Sequence, residues 1–208
     1  MNLKKIALIA FGLTYSVATY AQQKDRQHTG FFLSLSLGPV FGPIHMDSSV
    51  DGKYDLTGTG ASFDIKIGGA IQENLILHAT LYANSIVGPK QELPNGESYK
   101  NTDNVTFGET LLGGGLTYYF MPNNMFISGS AGLANFSVKN DDINYTSTTD
   151  RGFGFQLKAG KEWWVSKRWG LGISATYGRS SVDSKPSRNI QEKLSSDRFG
   201  ISFNTTLN

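Results

Sequence analysis

The stretch GASFDIKIGGA, Gly60 to Ala70, alternates at every step. Ala61, Phe63, Ile65, Ile67 and Gly69 are apolar or small, and Ser62, Asp64, Lys66 and Gly68 lie between them. A period of two marks a β-strand with one apolar and one polar face. In a water-soluble sheet the apolar face would pack into a core and the charges would meet water. In a membrane barrel the assignment is reversed. Which solvent each face meets is decided by the rest of the chain.

Seven further segments carry the same period. GFFLSLSLG begins at Gly30, and a third run extends from Leu75 to about Ile86. LLGGGLTYYF ends at Phe120 and MFISGSAGL starts at Met125. GFGFQLKAGKEWW covers Gly152 to Trp164, a seventh run starts at Trp169, and the last holds Phe199, Ile201 and Phe203. Short connections rich in turn residues fall near Ile71–Asn74, Met121–Asn124 and Ser166–Arg168. Long polar ones cover about Pro39–Thr59, Gly88–Asn104, Ser137–Asp150 and Arg179–Ser196. Long and short alternate strictly, as an antiparallel up-and-down sheet requires.

A soluble barrel of lipocalin type would place Leu33, Ile65, Leu81 and Ile173 in its core. Its outer face would then be mostly Ser, Thr and Gly, with few of the lysines and glutamates that a soluble surface carries. Turned inside out, the pattern fits. A narrow lumen takes small polar side chains and a few long ones, and the lipid face needs only to be apolar. Runs of about nine to eleven residues match tilted membrane-crossing strands. Aromatic residues gather at the short-turn end: Phe31, Tyr118, Tyr119, Phe120, Phe126, Trp163, Trp164 and Trp169 form the expected girdle. The fold class is therefore all-β, an eight-stranded antiparallel up-and-down transmembrane β-barrel.

Lys4 and Lys5 precede an apolar run from Ile6 to Val17, with small residues at Ala18 and Ala21. This pattern predicts a cleaved signal peptide over 1–21, a periplasmic lead-in over 22–29, and a barrel domain over 30–208. The 19 basic and 17 acidic residues come level once Lys4 and Lys5 are set aside, so no basic patch points to nucleic acid. Cysteine is absent, which removes disulfides and thiol nucleophiles.

Inside the ring, Asp64 and Lys66 have lumen parity. Counted from the nearest short turns, Asp64 lies level with Lys158 and Lys66 with Glu162, on strands that stand opposite each other. An internal ion-pair network of Asp64, Lys66, Lys158 and Glu162 follows, extended by Glu109, His78 and Arg198, because buried charges need partners.

With these features assembled, the chain resembles the small outer-membrane barrels of Gram-negative bacteria, of the OmpX and OmpA-barrel type. The leader, the loop–turn alternation, GGGLTYYFMPNNMFISGSAGL and the final strand carry the resemblance, which spans Gly30 to Asn208. Arg198, Gly200 and Phe203 are similar to the C-terminal signal that the barrel assembly machinery reads. The departure is the ending Leu207-Asn208, where an aromatic residue is common, together with Thr205 in place of an apolar residue. The resemblance implies outer-membrane lipid as partner, long loops outward and termini in the periplasm. It implies little about activity.

Asp47, Ser49 and Asp51, followed by Gly52, copy the start of a calcium loop. Position twelve is Gly58 where the bidentate glutamate should stand, so the metal signal is weak. His28, His45 and His78 lack partners at metal-ligand spacing. A lipid hydrolase needs a His–Ser pair facing the bilayer, and His78 is followed two residues on by Thr80. No catalytic residue or cofactor is expected. The leading function is a structural or surface-interaction role carried by four long loops whose ligand the sequence does not name. The alternatives are a narrow channel for small or apolar solutes and a secreted lipocalin-like carrier.

Overall fold

The computed structural model describes residues 26–50, 52–187 and 190–208. The expected leader and residues 22–25 of the lead-in lie outside the described residues, as do Asp51 and the tip 188–189 of the last long connection. The strands are β1 (Phe31–Phe41), β2 (Ile44–Ser48), β3 (Gly52–Thr57), β4 (Gly60–Gln72), β5 (Leu75–Val87), β6 (Lys90–Glu92), β7 (Ser98–Lys100), β8 (Val105–Phe120), β9 (Met125–Asn140), β10 (Tyr145–Thr148), β11 (Gly152–Trp164), β12 (Trp169–Ser187) and β13 (Ile190–Leu207).

Eight of them close a ring in the order β1-β4-β5-β8-β9-β11-β12-β13, with β13 pairing back onto β1. All ring pairings are antiparallel. One hydrogen-bond row shows how the ring is tilted. It starts at Trp163 and passes through Leu171, Thr205, Leu35, Ile65, Leu81, Leu112 and Leu133. It then returns to β11 at Phe153, ten residues before its start. That offset is the stagger that closing a tilted sheet demands. Apart from Thr205, every side chain on the row is large and apolar, and all point outward.

The faces divide as alternation requires. Leu37, Ile67, Leu77, Leu112, Ile127, Leu157, Ile173 and Ile201 are exposed on the outer surface. Ser36, Asp64, Lys66, Thr80, Lys158, Ser174 and Asn204 are buried in the lumen. This is the reverse of a lipocalin-like carrier, and the soluble alternative is set aside.

β8 and β9 pack closely where glycines leave the lumen side without side chains. A Cβ on Gly113 would sit 2.0 Å from the Ala131 carbonyl oxygen, and one on Gly132 would sit 2.2 Å from that of Leu112. At the short-turn end, Asn74 and Asn124 adopt φ of 64° and 53°, a region that asparagine tolerates better than most residues.

The structure differs from the sequence reading at both ends. Much of the long connections is strand. β12 and β13 run on together to Ser187 and Ile190, β2 pairs with the far end of β13, and β3, β6 and β7 extend that sheet. The period of two continues there as well: Ile44, Leu56, Val182 and Leu194 turn inward and pack with Ile86 and Phe136. A loop that buries an apolar face becomes a wall.

At the opposite end Tyr119 and Phe126 point into the lumen and pack with Phe32 and Ile76. They therefore do not belong to the girdle. Trp164 also shares the inner parity of Glu162, and its ring lies 4.8 Å from that of His28. Phe31, Tyr118, Phe120, Trp163 and Trp169 remain exposed on the outside. A second outer cluster, at the loop end, joins Tyr177 to Phe155 and Phe199 at ring separations of 6.0 and 4.9 Å.

Candidate functional site: a layered lumen closed at both ends

The lumen holds an ionic layer between two apolar ones. Asp64 on β4 is its centre. One carboxylate oxygen lies 2.5 Å from Lys158 Nζ and 3.1 Å from Lys66 Nζ. Lys158 arrives from β11 across the axis and also donates to Ser36 Oγ at 3.0 Å. Lys66 donates to Gln156 Oε1 at 2.7 Å and to Ser130 Oγ at 3.3 Å. Two cations share one anion, and the spare donors are taken up by hydroxyl and amide oxygens, as burial of charge requires.

The single network expected from the sequence is divided into levels. Glu162 does not pair with Lys66. It accepts from Thr206 Oγ1 at 2.7 Å and from the Tyr119 hydroxyl at 3.4 Å, nearer the short turns. Counting residues from a turn misplaces it, because the stagger of the ring moves each strand along its neighbour. Glu109 stands at the loop end, where it accepts from Ser196 and Asn84 at 2.8 and 3.1 Å. Arg198 is almost fully buried near it and donates to the Gly42 carbonyl. His78 contacts Thr80 and Thr117, each at 3.0 Å.

The short-turn end has a feature that the sequence reading passed over. His28 precedes β1, yet it is completely buried. Its ring stacks on Tyr119 at 3.5 Å, its Nε2 lies 2.7 Å from Asn124 Oδ1, and its Nδ1 meets the Asn208 side-chain amide. Its backbone N–H donates to Asn74 Oδ1 at 2.9 Å. Arg26 donates to the Ser166 carbonyl at 2.6 Å and lies over the Trp164 ring. Residues 26–28 thus tie all three short turns to the last residue. Burial pulls the His28 pKa down to about 4, so the ring is neutral at ordinary pH. The paired asparagines in the turn segments were the available signal.

The calcium reading gains no support from Asp47. That residue is held in the extended β2, with its carboxylate 3.3 Å from Lys53 Nζ. Ser49 Oγ accepts from the Gln191 backbone at 3.1 Å, and Asp51 lies outside the described residues. Among the described residues no group of three or more His, Cys, Asp or Glu is placed to hold a metal ion. Of the three residues that resemble an assembly signal, Arg198 points inward, Gly200 faces the β1 backbone, and Phe203 is displayed on the lipid side.

No family model matches the chain, and no curated protein matches it. Solved structures do. Neisserial surface protein A superposes with a TM-score of 0.51 at 15% identity, covering 86% of this chain and 97% of that one. The outer membrane protein OprG from Pseudomonas aeruginosa gives a TM-score of 0.51 at 11% identity, covering 87% and 97%. At such identity the likeness concerns the path of the backbone alone. The closed ring, the outward apolar face and these superpositions agree that the chain has the fold of the small eight-stranded outer-membrane β-barrels.

Proposed function

We propose that the protein is a closed barrel of the outer membrane, with a structural or surface-interaction role carried by the walls that rise beyond the bilayer. A leader over 1–21 would export it and be removed, and the assembly machinery would read Arg198, Gly200 and Phe203. The short turns, the lead-in 22–29 and the chain end would then lie in the periplasm. The observation that carries this reading is the sandwich inside the ring. The cluster of Ile44, Leu56, Ile86, Phe136, Val182 and Leu194 lies above the Asp64 layer, and Phe32, Ile76, Tyr119 and Phe126 lie below it. Water and ions moving along the axis would have to push through both of these close-packed apolar layers.

The outer wall offers alternating charges to any partner. Lys53 pairs with Asp47, Lys139 with Asp141, and Arg179 with Asp197. Charge that is balanced locally in this way favours polar, short-range recognition over capture of a strongly charged ligand. The test is electrical recording from the folded protein in planar bilayers. The expected result is no steady open level. Large, stable open states would overturn the closed-barrel reading and favour a channel.

A further inference from the structure

Two depressions on the lipid face run together. One, of about 500 Å³, is bordered by Phe120, Met125, Lys161 and Ile173. The other, of about 620 Å³, reaches Tyr177 and Phe199 at the far aromatic belt. They share Ile127, Ala159 and Ala175. The trough forms because Gly129, Ala159 and Ala175 are small where neighbouring outward positions carry Leu, Ile or Phe. From Ile173 to Tyr177 it follows the tilted strand β12 for roughly 13 Å.

Lys161 stands at the short-turn mouth of this trough. It faces outward between Met125 and Ile173 in the pairing registers, with its Nζ 5.7 Å from the centre of the Trp163 ring. Among the described residues no carboxylate lies within ion-pair distance of it. Lys66 and Lys158 face the lumen, so Lys161 supplies a positive charge on the lipid side of the wall, at the girdle level where headgroups lie.

We propose that this trough is a binding site for one anionic diacyl phospholipid of the leaflet at the short-turn end. Its phosphate pairs with Lys161, and one acyl chain lies along Ala159, Ala175 and Gly129. A lysine near a membrane surface favours an anionic lipid by about fivefold. Small outward residues also adjoin at Ala79, Gly114 and Ala131, and what distinguishes this trough is the lysine at its mouth.

The proposal rests on the membrane-barrel reading but not on the closed lumen. Its test uses the full folded chain with Trp164→Phe and Trp169→Phe, which leaves Trp163 as the reporter. The protein is placed in phosphatidylcholine vesicles containing brominated phosphatidylglycerol or brominated phosphatidylcholine at equal mole fraction. Trp163 is expected to be quenched as though the anionic lipid were about fivefold enriched beside it. Lys161→Gln should bring that preference close to one, and Ala175→Leu, which fills the trough, should reduce it. Equal quenching by the two lipids, or a preference that survives both Lys161→Gln and Ala175→Leu, would overturn the assignment. Quenching by either brominated lipid shows that the wall is in the bilayer, so loss of the preference alone leaves the barrel reading intact.

Discussion

Replacing Asp64 by Asn keeps the shape of the side chain and removes the one anion that two buried ammonium groups share. The carboxylate, Lys66 and Lys158 are each no more than 5% exposed. Breaking one buried ion pair costs about 3–5 kcal/mol, mainly because the surviving charge is left without a counterion. Here two cations are stranded, so Asp64→Asn is expected to reach or exceed the top of that range. The second step of the experiment separates charge from shape. Adding Lys158→Met removes one stranded cation and should recover some of the loss. Adding Lys66→Met as well leaves no charge in the layer, and stability should return close to that of the parent. Urea unfolding from lipid vesicles, followed by tryptophan fluorescence, reads all three variants. If Asp64→Asn costs less than about 0.5 kcal/mol, or if each lysine replacement destabilises further instead of rescuing, the shared-anion account is wrong.

Two other expectations concern the lipid face and the short-turn mouth. Ile65→Arg puts a charge on the outer face next to the middle of β4 and should destabilise the inserted barrel by about 2–4 kcal/mol, whereas the reverse assignment of faces would make it nearly silent. His28, with a pKa of about 4 in the folded protein against 6.5 unfolded, has no effect on stability above pH 6.5, where both states are neutral. As pH falls from 6.5 to about 4 the unfolded chain takes up the proton first, and about 3 kcal/mol is lost. A stability profile that is flat over this window in the parent, or equally steep in His28→Gln, would contradict the burial of that ring.

The alternation in Gly60–Ala70 and its seven companions determined ring size and face, because a strand buries or displays every second residue whatever its neighbours are. Asp64 with Lys158 was legible for the same reason, both having lumen parity near the middle of opposite strands. Glu162 was not. Parity gives the side of the wall, but height along the axis depends on the stagger between strands, which no single strand encodes. Closeness to a turn places Tyr119, Phe126 and Trp164 in the girdle, although their parity points inward. The walls beyond the bilayer were hidden by polar composition. Only one face of β2, β3 and β13 is apolar there, and a few inward residues such as Ile44, Val182 and Leu194 stand among charges and serines. For His28 the turn asparagines are the only signal, because its partners lie far apart in the chain.

The ring has a single join between its first and last strands, and that join is fastened at both extremities. Residues 26–28 hold one end through Asn208, and β2 takes over from β1 in holding β13 at the other. A cylinder split along its length usually gapes from whichever rim is loose, and this one has no loose rim. Sideways release of anything held inside would first require one fastening to melt, which makes the wall behave as a hoop rather than as a curled sheet.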